Sequence, residues 1–305
     1  MDRTPLTDDF LSAKLQTLNL LSSLADCAED SLMEAEQSDQ WVPTDYEVAY
    51  LPGIRLSGLL QQTNVSLQSS ADLHIHTNAS DGSSIDGILK VAIEKRLDAI
   101  AITDHDTIEM ALEARRIVHR DRLPLAIIPG VEVSSSEGHI GALFVTCNIP
   151  KGMSALETIT AIHKAGGIAV AHHPIVPSFF QYIAESPLAI GNKFLSLPFD
   201  AVEVTNAVPG YGARYNVATQ NLVKENGCVM AFTGGSDAHH CSQVGKGLTF
   251  YGGNQGIMSL RRSLEEGVTL ATESYWSTLE KFAYYFRLIQ RIIFGQQETV
   301  KEGAL

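Results

Sequence analysis

"LDAIAITDHDTIEMALEARR", residues 97–116, is the stretch on which the fold turns. Its first part, "DAIAITD", is a short apolar run of strand length that ends abruptly in Asp104, His105 and Asp106. From Thr107 the apolar positions fall three and four apart, the period of a helix with one buried face. A strand that runs through polar side chains into a helix is half of a βα unit. A buried strand end does not accept an Asp-His-Asp trio unless those groups have partners.

The same pattern recurs on both sides. Strand-like runs are "ADLHIHT" (71–77), "DAIAITD" (98–104), "LAIIPGVEVS" (125–134), "IGALFVT" (140–146), "GIAVAHH" (167–173), "AVEVTN" (201–206) and "CVMAFTGGSD" (228–237). Helix-like runs lie between several of them: "IDGILKVAIEKR", "TIEMALEARRIVHR", "SALETITAIHKAG" and "YGARYNVATQNLVKENG". Alternating strands and helices predict an α/β fold with a mainly parallel sheet. About seven strands in one domain favour a closed or nearly closed barrel over an open sheet. No G-x-G-x-x-G follows the first strand, which removes the dinucleotide-binding version.

Composition narrows the function. The chain has 305 residues, 45% hydrophobic and 19% charged, with a net charge of −13 from 35 acidic and 22 basic residues. That balance is globular, and it speaks against an extended nucleic-acid surface, which needs basic side chains to neutralise phosphates. Four cysteines without C-x-x-C spacing suit a reducing compartment. The acidic N-terminus and the lack of a long apolar run predict a cytoplasmic protein with no membrane span. Residues 1–70 read as a partly helical extension, 71–255 as the α/β domain, and 256–305 as C-terminal helices packing on the barrel or at an interface. The aromatic-rich "YWSTLEKFAYYFRLIQRIIFGQQ" within them could support a homo-oligomer.

Histidine placement carries the chemistry. Of ten histidines, His119 and His163 fall on predicted helices, where ordinary surface roles suffice. The other eight fall at strand ends: His74, His76, His105, His139, His172, His173, His239 and His240, accompanied by Asp81, Asp104, Asp106, Glu132, Glu203 and Asp237. In a parallel barrel the carboxyl ends of the strands share one rim, so groups far apart in sequence can converge. Residues i and i+2 of a strand share a face, which sets His74 beside His76 and Asp237 beside His239. Glu132 stands in an otherwise apolar strand; a metal bridge explains it, and a buried salt bridge is the bland alternative. Imidazoles mixed with carboxylates suit Zn, Mn or Fe, and more than one ion.

The ordered set "DLHIHT…SDG", "ITDHDT", "PGVEVS", "AHHP", "EVTN" and "GSDAH" resembles the PHP (polymerase and histidinol phosphatase) superfamily over roughly residues 71–255. The resemblance implies a distorted seven-stranded (β/α) barrel with two or three divalent ions at the carboxyl rim. It implies His74, His76, Glu132 and Asp237 around a first ion. Glu132, His139 and His173 would surround a second, with His172 behind His173 or the reverse. Asp81, His105 and His239 would surround a third. Asp104 and Glu203 are expected to orient imidazoles by accepting their distal N–H, and Asn206 and Arg214 to line the substrate pocket. Arg214 as a solvated residue at a helix start is an equal reading. Catalytic weight falls on Glu132, Asp237 and Arg214.

The implied function is a metal-dependent phosphoesterase acting on a small phosphorylated metabolite or nucleotide, through a hydroxide held between two ions near Glu132. Three alternatives stand beside it: an exonuclease on RNA or DNA ends, a non-catalytic metal-binding module, and a phosphotyrosine-protein phosphatase. Phe179, Phe180 and Tyr182, in the loop 175–200, could stack on a substrate ring, form a lid, or be loop core.

Overall fold

The computed structural model describes residues 46–48, 67–178, 187–209, 212–252, 256–274, 276, 280–282 and 284–286. The expected N-terminal helices, Phe179, Phe180, Tyr182 and most of the aromatic C-terminal segment lie outside them. The chain begins with β1 (Tyr46–Val48) and β2 (Leu67–Asp72), then α1 (Ile85–Glu94), β3 (Ala99–Ile102), α2 (Glu109–Asp121), β4 (Ala126–Ser135) and β5 (Gly138–Leu143). It continues through α3 (Ala155–Lys164), β6 (Ile168–Ala171), β7 (Ala201–Asn206), α4 (Val217–Glu225), β8 (Ala231–Gly235), β9 (Gly247–Gly252), α5 (Ile257–Glu265) and β10 (Thr269–Ser274).

One ten-stranded sheet runs in the order β1-β10-β9-β2-β3-β4-β5-β6-β7-β8. Strands β2, β3 and β4 are mutually parallel, as are β6, β7 and β8; β5 runs antiparallel between the two sets. The sheet curls until β8 comes back against β2, β9 and β10. Beyond β2, His76 N donates to Ala238 O at 3.0 Å, and Ala238 N donates to His74 O at 3.3 Å, just past β8. Lower down, where β9 intervenes, threonine hydroxyls span the seam: Gly234 N donates to Thr249 Oγ1 and Phe232 N to Thr269 Oγ1.

The seven runs read from the sequence overlap β2–β8. The sheet is larger by β1, β9 and β10, an antiparallel trio that flanks β2. The segment from 256 onward, expected as helices, supplies α5 but then the strand β10, which completes the sheet. Among the described residues no helix is long and apolar enough to cross a membrane.

Two apolar layers hold this together. Outward-facing Ile100, Ile102, Ile127, Val131, Val133, Val202 and Val204 pack with helix residues such as Ile88, Leu89, Ala114, Val118, Ile159 and Ile162. Facing the other way are Ala99, Ala101, Ile128, Leu143, Ile168, Val170, Ala201 and Ala231, joined by Leu260 and Leu264 of α5. Alternation along each strand produces the two sets. The inward set mixes alanines with Ile128, Leu143, Ile168 and Val170, which together fill the interior.

Candidate metal centre

On β3, β4, β6, β7 and β8 the inward-facing series, followed toward the rim, ends in a polar side chain. On β3 it runs Ala99, Ala101, Thr103, His105; on β4, Ile128, Gly130, Glu132; on β6, Ile168, Val170, His172; on β7, Ala201, Glu203; on β8, Ala231, Thr233, Gly235, Asp237. Antiparallel β5 delivers its rim residue from its start, as His139 before Gly141 and Leu143. On these strands the same parity that packs the interior aims the functional groups, whereas His74 and His76 lie just past the end of β2.

Glu132 sits at the middle, 1% exposed. Its Oε1 lies 3.3 Å from His74 Nε2, 3.3 Å from His139 Nδ1, 3.0 Å from His172 Nδ1 and 3.1 Å from His173 Nε2. Its Oε2 lies 3.4 Å from His76 Nε2 and 3.3 Å from His105 Nδ1. Asp237 Oδ1 approaches His74 Nε2, His76 Nε2 and His239 Nδ1 at 3.5, 3.2 and 3.6 Å. Asp81 Oδ2 lies 3.0 Å from His239 Nε2, and Asp81 Oδ1 3.9 Å from His105 Nε2.

Hydrogen bonding alone does not account for this crowd. One carboxylate offers about four lone-pair sites, two on each oxygen, whereas four ring nitrogens surround Oε1 alone. His74 Nε2 and His76 Nε2 also face one another at 3.2 Å. A tetrahedral shell with bonds of about 2.0–2.1 Å sets its ligand atoms about 3.4 Å apart, which is the spacing observed. The donor set therefore fits divalent cations. Among the described residues, four groups have ligand atoms within 4.8 Å of one another: His76, Asp81, His105 and His239; His74, Glu132 and His172; His74, His173 and Asp237; His105, Glu132 and His139. Compared with the expected sets, His76 joins the Asp81 group, and His105 stands beside His139 where His173 was expected.

Both rings of the His172–His173 pair approach Glu132 Oε1. Parity turns His172 inward, and His173 follows at φ +24°, which swings the next ring onto the same Oε1. Asp237, at φ +49°, makes a similar turn. Non-glycine residues in this region cost about 1–3 kcal/mol and cluster at functional sites. Two glycines make room. A Cβ on Gly141 would lie 2.1 Å from His172 Nε2, and one on Gly235 would lie 2.5 Å from Glu203 Oε1 and from His74 Cβ.

Surrounding groups fix the rings. Glu203 accepts from His74 Nδ1 at 3.1 Å and from His173 N at 2.8 Å, leaving His74 Nε2 to face the centre. His239 Nδ1 donates to the carbonyl of Asp237 at 2.8 Å, which aims its Nε2 at Asp81. Asn206 Nδ2 donates to both Glu203 Oε2 and Asp237 Oδ2, so this amide braces two carboxylates and is buried. Asp104 does something other than orient imidazoles: it accepts from Thr77 N, Thr77 Oγ1 and Ser80 Oγ at 2.6–2.7 Å and pins the turn that carries Asp81. Arg214 stands exposed in the turn Gly212–Asn216, and among the described residues it makes no ion pair with the cluster. Asp72, absent from the expected set, staples the base of the centre by accepting from Ser236 N and Gly245 N.

Charge is divided sharply here. Burial works against ionising His74, yet the carboxylates of Asp237, Glu132 and Glu203 hold it well above the usual imidazole range. Burial likewise opposes charge on Glu132 and Asp237, but the neighbouring imidazoles hold both well below the carboxylate range. His173 is also raised, against the effect of burial, mainly by its contact with Glu132. By contrast burial pushes His105 and His172 down to about 4. The centre is also asymmetric toward solvent: His74 and Glu132 are sealed, while His105, Asp81 and His239 have side chains 29%, 26% and 25% exposed.

A parallel-rimmed barrel with a His/Asp/Glu cluster of this kind defines a metal-dependent hydrolase site. Residues 72–185 match the PHP domain family model. An uncharacterized protein of Methanocaldococcus jannaschii is 36% identical over 167 residues, covering 51% of this chain and 92% of that protein. The chain belongs to the PHP domain family, and with it to the metal-dependent phosphoesterases. The 5'-3' exoribonuclease Rnm of Salmonella typhimurium is 38% identical over 105 residues, 33% of this chain and only 36% of that enzyme. A two-domain Bacteroides vulgatus protein containing a predicted PHP-like metal-dependent phosphoesterase shares the fold, with a TM-score of 0.56 at 17% identity over 81% of this chain and 74% of that one.

Proposed function

We propose that this chain hydrolyses phosphate esters of a small phosphorylated metabolite or a nucleotide, using divalent ions held by His74, His76, Asp81, His105, Glu132, His139, His172, His173, Asp237 and His239. The observation that carries the reading is the convergence of six imidazole nitrogens on the single buried carboxylate of Glu132. Divalent ions there would lower the pKa of bound water and neutralise phosphoryl and leaving-group oxygens.

The chain's own groups do the rest. Glu203 keeps the Nδ1 proton of His74, so its Nε2 lone pair is directed at the centre. Asn206 holds Asp237 and Glu203 in fixed orientation from behind. Exposure of Asp81, His105 and His239 marks the side from which an ester reaches the centre. Arg214, exposed at the start of the helix after β7, supplies a planar fork for phosphoryl oxygens. The sealed side around His74 and Glu132 excludes bulk water and strengthens the field on the reacting group.

The test is hydrolysis by the Mn-loaded protein of mononucleotides, sugar phosphates, phosphotyrosine and 5'-phosphorylated oligonucleotides, with His76→Ala as control. Activity on the small esters that vanishes in the variant supports the reading. No hydrolysis of any member by a protein with its ions bound overturns it. Turnover confined to oligonucleotides would favour a second reading, the exonuclease, which the identity to the exoribonuclease supports.

A further inference from the structure

The ligands of the centre are not all held in the same way. His74, Glu132, His172 and Asp237 lie in strands or immediately beyond them. Of the outer group, Asp81 rides on the turn from Thr77 to Ser83, and His239 on the loop that follows β8. Both are partly exposed, and ladder hydrogen bonds do not fix them. Gln243 supplies what His239 needs. Its side chain is buried, and Oε1 accepts from His239 N at 2.7 Å and from His240 N at 2.8 Å. Both partners are backbone N–H groups, which only donate, so the amide presents its oxygen to them. Gln243 N donates in turn to His240 O at 2.9 Å, which closes the loop on itself.

The same loop is joined to the turn that carries Asp81. Cys241 N donates to Ser83 Oγ at 3.0 Å. Ser83 O accepts from Asn78 N at 2.9 Å, and Ser83 forms a bridge with Thr77, so the hydroxyl belongs to the base of that turn. His239 is therefore held at its backbone by Gln243 and at its ring by the carbonyl of Asp237. Asp81 is brought to it through Ser83, and His239 Nε2 meets Asp81 Oδ2 at 3.0 Å. The sealed ligands are anchored elsewhere: His74 by Glu203, and Glu132 by its place in β4.

We propose that Gln243 and Ser83 are the positioning residues of the outermost ion, the divalent cation taken by His76, Asp81, His105 and His239. Their oxygens hold two loops in register so that an imidazole and a carboxylate meet one cation. This rests on the cluster's holding ions, as in the reading above, and not on which ester is cleaved. Calorimetric titration of Mn into the ion-free protein tests it, with elemental analysis for the ions retained. Gln243→Leu, which removes the oxygen at similar size, should weaken one ion per chain by about 10- to 100-fold and leave the others unchanged. Gln243→Glu keeps an oxygen facing both N–H groups and should bind that ion as tightly as the wild type. Ser83→Ala cuts the tie between the loops and should weaken the same ion; it decides the matter if a melt shows that Gln243→Leu does not fold. His239→Ala identifies the ion by losing it, and adding Gln243→Leu to that variant should change nothing further. Wild-type affinity for every ion in the folded variants overturns the proposal. So does equal weakening of all the ions, which marks a general loosening of the barrel, and so does a Gln243→Glu variant as weak as Gln243→Leu. A wild type that takes up no Mn overturns the metal centre and this proposal together, whereas normal uptake in both wild type and variants overturns this proposal alone.

Discussion

Gly141→Ala tests the centre without altering any titratable group. The added Cβ would lie 2.1 Å from His172 Nε2 and 2.6–2.7 Å from two ring carbons, where ordinary contact starts at 3.4 Å. The ring must therefore retreat by more than about 1 Å. Behind it stands His74, stacked on His172 with centroids 3.9 Å apart and anchored by Glu203. The His172 ring has to swing aside, and its 3.0 Å approach to Glu132 is lost. Overfilling of this kind costs about 1–3 kcal/mol, less than the roughly 5–15 kcal/mol that holds a domain folded. The variant should fold yet bind its ions about 10- to 100-fold more weakly, as when a ring that sets a metal site loses its position. That corresponds to about 1.4–2.7 kcal/mol. Competition with a fluorescent chelator measures the affinity, and a melt of the ion-free protein measures the packing cost separately. Unchanged Mn affinity in a variant whose melting temperature has fallen would mean that His172 takes no part in the centre.

Glu132→Gln should lose at least one ion per chain by elemental analysis and lower hydrolysis by about 10³; full occupancy with the parent rate would remove Glu132 from the middle of the site. Ion binding should release protons at neutral pH, because His74 and His173, held above the ordinary imidazole range, must deprotonate to become ligands, whereas His105 and His172, at about 4, are already neutral. Affinity accordingly weakens as pH falls, and titration calorimetry in two buffers of different ionisation enthalpy reads the proton count, with zero contradicting the assignment. Asp104→Asn replaces an acceptor oxygen by an amide donor facing Thr77 or Ser80, and should cost about 1–3 kcal/mol in urea unfolding; no measurable change would mean that the turn holds itself. Adding Mn to ion-free protein should raise its melting temperature in a concentration-dependent way, and a flat response would show that the cluster binds no ion in the folded state.

Much of the barrel and its rim could be read from the chain because one rule wrote both. A period of two separates the helix-facing side chains from those of the interior, and the same period carries on to His105, Glu132 and Asp237. The flanking trio was illegible for a physical reason. "GLTFYG" (247–252) and "TLATES" (269–274) are short, and glycine- or hydroxyl-rich, because threonines there bond across a seam; such runs lack the apolar signature of a central strand. At the centre, parity would have chosen His172 alone. The left-handed backbone of His173, which adds the second ring, leaves no mark in the sequence. Asp104 looked like an imidazole partner from its place in the rim trio, but its carboxylate is occupied by Thr77 and Ser80, two residues that read as an ordinary turn.

The pairing of Tyr46–Val48 with Thr272–Ser274 reaches further than its three residues suggest. It ties a segment near the start of the chain to the last strand of the sheet, and it caps that strand. A protein shortened to begin at residue 67 would keep every ligand yet leave β10 as an open edge, its backbone donors and acceptors free to recruit another chain. Loss of solubility in such a truncation, with metal content per folded molecule unchanged, would therefore report on edge protection and not on the centre.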